Sequence, residues 1–311
     1  MRAHRLAIVG TFVSDRIRPW RGQPFSDLGG LIYTLLPLAA LRPPDWELMP
    51  VAHVGADLWS RLRRELQILP GVGLDGLRKV AEPNNRVTLS YRSARDRDER
   101  LEGGVPALGT DAIRIAAAAD FILLNYVSGY ELDAACWRRL RRGAAPIYAD
   151  LHSLFLGRSR SGLRYLRRPP AWRDRLRGLT HVQLNEVEAA CLLGAKPPLR
   201  SAELARLRRA AIRQAVQTLI VTQGERGAWF APAPPARLAA VAAVGGRGRE
   251  PTGCGDAFAA GFVAALLHGL GPRQALDAAV RCAGIKAQRR GTRGLYAAVR
   301  RRRAWILGAG R

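Results

Sequence analysis

Thr252-Gly253-Cys254-Gly255-Asp256 runs without interruption into the apolar stretch Ala257-Phe258-Ala259-Ala260-Gly261-Phe262-Val263-Ala264-Ala265-Leu266-Leu267. Two glycines let the backbone turn so that its N–H groups converge, and the helix that follows adds the positive end of its dipole. Such a turn is an anion site. Asp256 falls on the first helical turn, where a carboxylate is stabilised and stays ionised near neutral pH. Phosphoryl transfer to a hydroxyl requires amides that hold developing negative charge, beside a carboxylate that takes a proton. The plainer reading is a glycine turn entering a buried helix, with Asp256 only its cap.

Upstream of this segment, short apolar runs alternate with helical patterns. The spacing predicts strands over 6–10, 48–54, 121–127, 146–150, 181–184 and 218–222. It predicts helices over 32–41, 58–69, 132–142, 186–193, 202–215 and 273–289, the last closing the fold. That order is an α/β fold: a doubly wound, mostly parallel sheet with helices on both faces. Residues 12–21 and 85–102 break the alternation and read as exposed strands with charged turns, or as plain surface loops. Arg300–Arg303 reads as a solvated tail.

At 311 residues the chain suits one α/β domain with an excursion, or two compact domains. Its net charge of +25 would suit nucleic acid, but only Lys79, Lys196 and Lys286 are lysines and the arginines are scattered. No stripe interleaves aromatics with them, so a nucleic-acid partner is not expected. Cys136, Cys191, Cys254 and Cys282 lack metal-ligand spacing and lie far apart, which fits reduced thiols in the cytoplasm. The longest apolar run falls well short of the ~20 residues that span a bilayer, and no membrane partner is expected.

Glu250-Pro251-Thr252-Gly253-Cys254-Gly255-Asp256 resembles the signature Asp-Thr-x-Gly-Ala/Cys-Gly-Asp of the ribokinase/PfkB carbohydrate kinases. The resemblance implies that Asp256 is the catalytic base and that Gly253, Cys254 and Gly255 form the anion hole. It also implies a single ribokinase-like α/β domain over 1–311, with a small β lid formed by approximately 12–30 and 82–104. Relatives often pair through such lids, so a homodimer is implied.

Further motifs carry the same resemblance. Asp15 lies just past the first strand, where open α/β sheets bind ligands and a carboxylate accepts hydroxyl hydrogen bonds. In the family this aspartate grips the sugar; the alternative is a turn cap. Gly29-Gly30 matches the family's Gly-Gly-x-x-x-Asn-x-Ala, with Thr34 at the Asn position and Leu36 at the Ala position. Glycine there lets backbone approach a substrate. Val54-Gly55-Ala56-Asp57 resembles an architectural turn. Asn125 and Ser128 follow a strand within reach of substrate hydroxyls.

On the donor side, Asn185-Glu186-Val187-Glu188 matches Asn-x-x-Glu, and Asn185 with Glu188 can order a hydrated magnesium ion beside nucleotide phosphates. Thr222-Gln223-Gly224-Glu225-Arg226-Gly227 resembles Thr-x-Gly-x-x-Gly, so Thr222, Gly224 and Gly227 are expected at the nucleotide, or in a hairpin before Ala228-Trp229-Phe230. Neither a Walker loop nor a dinucleotide fingerprint is present. Asp150-Leu151-His152-Ser153 ends a strand and is read as ordering a loop or holding phosphate. Relatives bind a monovalent cation beside the signature and near Gly291, which implies a potassium site at Glu250 and Thr252. Here Glu250 and Pro251 replace the usual Asp and Thr.

The expected activity is ATP- and Mg²⁺-dependent phosphorylation of a hydroxyl on a sugar or sugar-like molecule. A nucleoside acceptor, or a catalytically weak sugar- or nucleotide-binding sensor of the same fold, is the alternative.

Overall fold

Alternate residues of the first strand enter opposite cores. Leu6 and Ile8 join one apolar cluster, Ala7 and Val9 the other, and Phe121/Leu123 divide from Ile122/Leu124 in the same way. A strand's side chains alternate faces, so a strand buried on both sides must be covered by helices twice. The computed structural model describes residues 3–93, 96–235, 237–245, 248 and 250–308.

In chain order, β1 (His4–Val9) is followed by β2 (Phe12–Arg18), β3 (Phe25–Gly30), α1 (Leu31–Leu41), β4 (Trp46–Gly55) and α2 (Ala56–Gln67). Next come β5 (Leu77–Val80), β6 (Arg86–Tyr91), β7 (Arg97–Glu102), α3 (Thr110–Ala117), β8 (Phe121–Asn125), α4 (Ala134–Leu140) and β9 (Ile147–Asp150). A hairpin, β10 (Leu156–Arg158) and β11 (Arg164–Leu166), precedes α5 (Trp172–Leu176), β12 (His181–Asn185), α6 (Glu186–Leu193), α7 (Ser201–Ile212) and β13 (Thr218–Thr222). β14 (Ala228–Pro232), β15 (Ala239–Val241), α8 (Cys254–Leu267), α9 (Pro272–Ala287), α10 (Leu295–Arg301) and α11 (Arg303–Leu307) complete the chain.

The main sheet has nine strands in the order β15-β14-β13-β12-β9-β8-β1-β4-β5. All pairings are parallel except those of β14, which runs antiparallel to β13 and β15. The doubly wound sheet expected from the sequence is therefore present. One face carries the buried residues of α1, α2, α8, α9 and α10, and the other those of α3 to α7. After β1 the chain moves outward through β4 and β5, then returns to lay β8 on the other side of β1. This switch opens a crevice at the carboxyl ends of the strands.

A separate four-stranded sheet, β3-β2-β6-β7, covers that end, with its own small core of Val13, Ile17, Val87, Leu89 and Leu101. β2, β6 and β7 come from the two stretches that broke the alternation, and β3 lies within the expected lid at 12–30; residues 94 and 95 of the expected lid lie outside the described residues. Two expectations need correction. The helix over 273–289 does not close the fold, because α10 and α11 follow, and Arg300, Arg301 and Arg303 belong to those helices, with Arg302 joining them, and not to a tail. Val299 and Ile306 are buried, which gives these short helices the core contact that a tail would lack. No helix of the described residues is long and apolar enough to cross a membrane.

Candidate active site

The carboxyl ends of the strands set the site in a row. Asn125 of β8 pairs in register with Asp150 of β9, Gln183 of β12 with Asp150, and Asn185 of β12 with Thr222 of β13. The start of α8 lies over this row. Gly253 caps the helix with φ 79°, and a Cβ there would meet the Tyr33 ring at 2.4 Å, so the position admits only glycine on two counts.

The Cys254 N–H closes the turn onto the Pro251 carbonyl at 3.1 Å, and the Ala257 N–H bonds to the Gly253 carbonyl. Among the described residues, the N–H groups of Gly253 and Gly255 have no backbone partner, and the Asp256 N–H turns to its own carboxylate. Of the three residues of the expected anion hole, Cys254 turns its amide inward to close the turn, and Gly253 and Gly255 leave theirs open. Gln183 holds this turn from below, donating to the Gly255 carbonyl at 3.1 Å and to Asp150 Oδ2 at 2.9 Å, while Tyr148 donates to its Oε1 at 2.5 Å. Gln183 escaped sequence reading; its signal is a polar residue in mid-strand between the buried Val182 and Leu184.

Asp256 is half-buried and reachable, and Asn125 Nδ2 donates to its Oδ1 at 2.5 Å. Burial raises its carboxyl above the usual range; the Asn125 hydrogen bond and the His152 charge oppose that. Asn125 Nδ2 also donates to Thr34 Oγ1 at 3.0 Å. Thr34 is fully buried on α1, so it does not face a substrate as the motif implied; it steadies Asn125, which steadies Asp256.

Asp15 belongs to lid strand β2 and is 4% exposed, without a hydrogen-bond partner among the described residues. Burial first, then the negative charges of Glu99, Asp256, Glu250 and Asp27, push its carboxyl well above the usual range. Its carboxylate fills the space beside Gly29, where a Cβ would meet Asp15 Oδ2 at 2.0 Å. Gly30 turns at φ 62° against the Thr11 carbonyl to start α1. A buried carboxylate left unpaired is costly for folding and points to a ligand with hydroxyl donors.

On the donor side, Asn185 and Glu188 bond to each other in a capping box at the start of α6. Glu188 Oε1 also meets His152 Nδ1 at 2.7 Å. Burial draws the His152 pKa down, but the hydrogen bond and charge of Glu188 overcome it and raise it to about 9. An imidazolium therefore stands among Glu188, Asp150 and Asp256. Burial lifts the Asp150 carboxyl to about 7.

Among the described residues no group of His, Cys, Asp and Glu could hold a metal by itself. With Asn185 and Glu188 already bonded to each other, magnesium fits only as a hydrated ion carried on phosphates and touched through water. Thr222 ends β13, and Gly224 turns at φ 59° into open space, where a phosphate can approach. Gly227 has a different cause, since a Cβ there would meet the Val241 carbonyl at 1.9 Å; it lets β15 pack. The expected hairpin before Ala228 is present as β13–β14.

Glu250 is buried, and its carboxylate accepts from the Thr252 N–H at 2.7 Å and from Lys286 Nζ at 3.1 Å. The residues do not fit a free potassium ion at Glu250 and Thr252, because an ammonium group already fills the carboxylate's side. The lid meets this region twice. Tyr91 of β6 shares a 3.0 Å hydrogen bond with Thr252 Oγ1, and Asp27 of β3 accepts from Thr292 N at 2.6 Å and Oγ1 at 2.8 Å. A separate cavity of about 420 Å³ lies under β7, lined by Asn85, Ser128, Tyr130, Arg158 and Arg160 among others.

Residues 165–297 match the family described as pfkB family carbohydrate kinase. In fold the chain is similar to ribokinase from Thermotoga maritima (16% identity, 98% of this chain and 99% of that one, TM-score 0.72). It is also similar to ribokinase from Arabidopsis thaliana complexed with ribose and ATP (17%, 96% and 99%, 0.69). A pyrophosphate-dependent kinase in the ribokinase family is a further match (15%, 92% and 96%, 0.76). No curated protein matches the chain. The ribokinase/PfkB resemblance is thereby borne out, and the fold similarity covers 92–98% of this chain in the structures named.

Proposed function

We propose that the chain is an ATP-dependent kinase that phosphorylates a hydroxyl of a sugar or sugar-like molecule. One observation carries the reading. A reachable carboxylate, Asp256, sits at a helix start whose Gly253 and Gly255 amides are open, with Asn125 holding one of its oxygens at 2.5 Å. Asn125 occupies Asp256 Oδ1, so Oδ2 is the oxygen that takes the acceptor's proton. The acceptor oxygen then bonds to the γ-phosphorus, the bond to the bridging oxygen breaks, and ADP leaves with the electron pair. The open amides and the dipole of α8 hold the charge on the migrating group.

Asp15 accepts hydroxyls of the acceptor from the lid side. Thr222 and Gly224 face the donor phosphates, and the His152 imidazolium adds positive charge near them. Magnesium bound on those phosphates would neutralise their charge, and Asn185 and Glu188 are the residues that would hold it, through water. Glu188's remaining acceptor capacity and its oxygen donors suit that hard cation.

The test is a screen of sugars, polyols and nucleosides for product formation, with ATP and pyrophosphate as parallel donors. Phosphorylation of a hydroxyl that Asp256→Asn abolishes supports the reading. Tight sugar or nucleotide binding with no turnover by any donor favours the sensor.

A further inference from the structure

We infer that Lys286 is a built-in cation that does for the anion-hole turn what a monovalent metal ion would otherwise do, so that this chain works without potassium. The inference deepens the kinase reading and rests on it for the rate measurements alone. Lys286, on α9, has no exposed surface. Its ammonium donates to Glu250 Oε2 at 3.1 Å and to the Arg289 carbonyl at 3.0 Å, and lies 5.3 Å from the centre of the Tyr33 ring. Two of these three neighbours, Glu250 and Tyr33, reach the turn. The other Glu250 oxygen accepts the Thr252 N–H at 2.7 Å, and the Tyr33 ring packs where a Cβ on Gly253 would be. The Gly291 N–H, at 3.4 Å, closes the ring of contacts on Glu250.

An ammonium group and a potassium ion share charge and nearly share size, and both suit carboxylate and carbonyl oxygens or an aromatic face. Composition sharpens the point. All but three of the chain's 50 basic residues are arginine, yet the cation at this position is a lysine. A planar guanidinium would not fit a pocket sized for a compact charge. The charge also reaches Asp256, where it favours the ionised base.

The purified full-length protein tests this in two ways. In the first, melting temperature and thallium(I) binding are compared in potassium, lithium and tetramethylammonium chlorides. The wild type should show no potassium-selective stabilisation and no thallium site, whereas Lys286→Ala should gain both. Because this arm needs no acceptor, it stands even if the kinase reading fails. In the second, phosphoryl transfer by the wild type should change by less than about twofold with potassium, while Lys286→Ala should lose about tenfold or more in kcat and recover part of it in potassium or ammonium but not in lithium. Potassium activation or a thallium site in the wild type would overturn the inference, and so would a folded Lys286→Ala protein with unchanged kcat. If Lys286→Ala does not fold, the wild-type ion dependence decides alone.

Discussion

Asn125 Nδ2 lies 2.5 Å from Asp256 Oδ1, joining the carboxyl end of a central strand to the first turn of the helix that crosses it. The bond selects which carboxylate oxygen stays free, and it lowers the pKa that burial raises. Replacing Asn125 by Ala should therefore move the acid limb of the kcat profile to higher pH and cost about tenfold in rate, with nucleotide affinity retained. A pH–rate series on the variant and the wild type measures both effects.

Asp256→Asn removes the base and keeps the shape. A loss of about 10²–10⁴ in kcat is expected, with ATP dissociation constant and melting temperature near wild type. Isothermal titration beside steady-state kinetics separates the two; wild-type turnover by this variant would remove Asp256 from the mechanism.

Asp15 sets function against stability. Its raised carboxyl means that ionisation disfavours the folded state, so stability is lost as pH rises from the ordinary carboxylate range toward the raised value. Asp15→Asn should melt higher than the wild type at neutral pH, yet show a higher KM for the acceptor at unchanged KM for the donor. Thermal melts and two-substrate kinetics check the opposing signs.

His152 carries the reverse linkage. With its pKa raised to about 9 against an ordinary 6.5, it contributes stability that is complete below pH 6.5 and lost as pH rises through 9. The side chain is 40% exposed, so solvent softens the slope. His152→Gln should flatten the decline in melting temperature across that window.

Gly253→Ala meets both the positive φ and the Tyr33 ring at 2.4 Å. A cost of about 1–3 kcal/mol from backbone strain is expected, plus a displaced turn and a collapse in kcat. Denaturant unfolding and kinetics together check this.

Much of this was legible in the chain because apolar strands and glycine turns report on local geometry. Glu186–Leu193 and Thr218–Thr222 have the bounds read from their patterns, since one ends at a glycine and the other is flanked by polar residues. The lid followed from interrupted alternation. The short strands β5, β10, β11 and β15 offered too few residues for a period to show. Distance in sequence hid the rest. Nothing near Lys286 names Glu250 or Tyr33 as its partners, and Thr34 reads as a substrate residue until α1 is seen to bury it. Gly224 and Gly227 look alike in the motif, yet one faces open space and the other a neighbouring strand.

Asp27 and Tyr91 reach from the lid to Thr292 and Thr252, which flank the loop and turn that share Glu250. Swinging the small sheet outward must break those seams, so in the kinase proposed above freeing the product would also slacken the cradle for the migrating group. Under the proposed kinase reading, departure of product and disassembly of the turn would be one movement, and the rate of unlatching would set a ceiling on turnover independent of the chemistry.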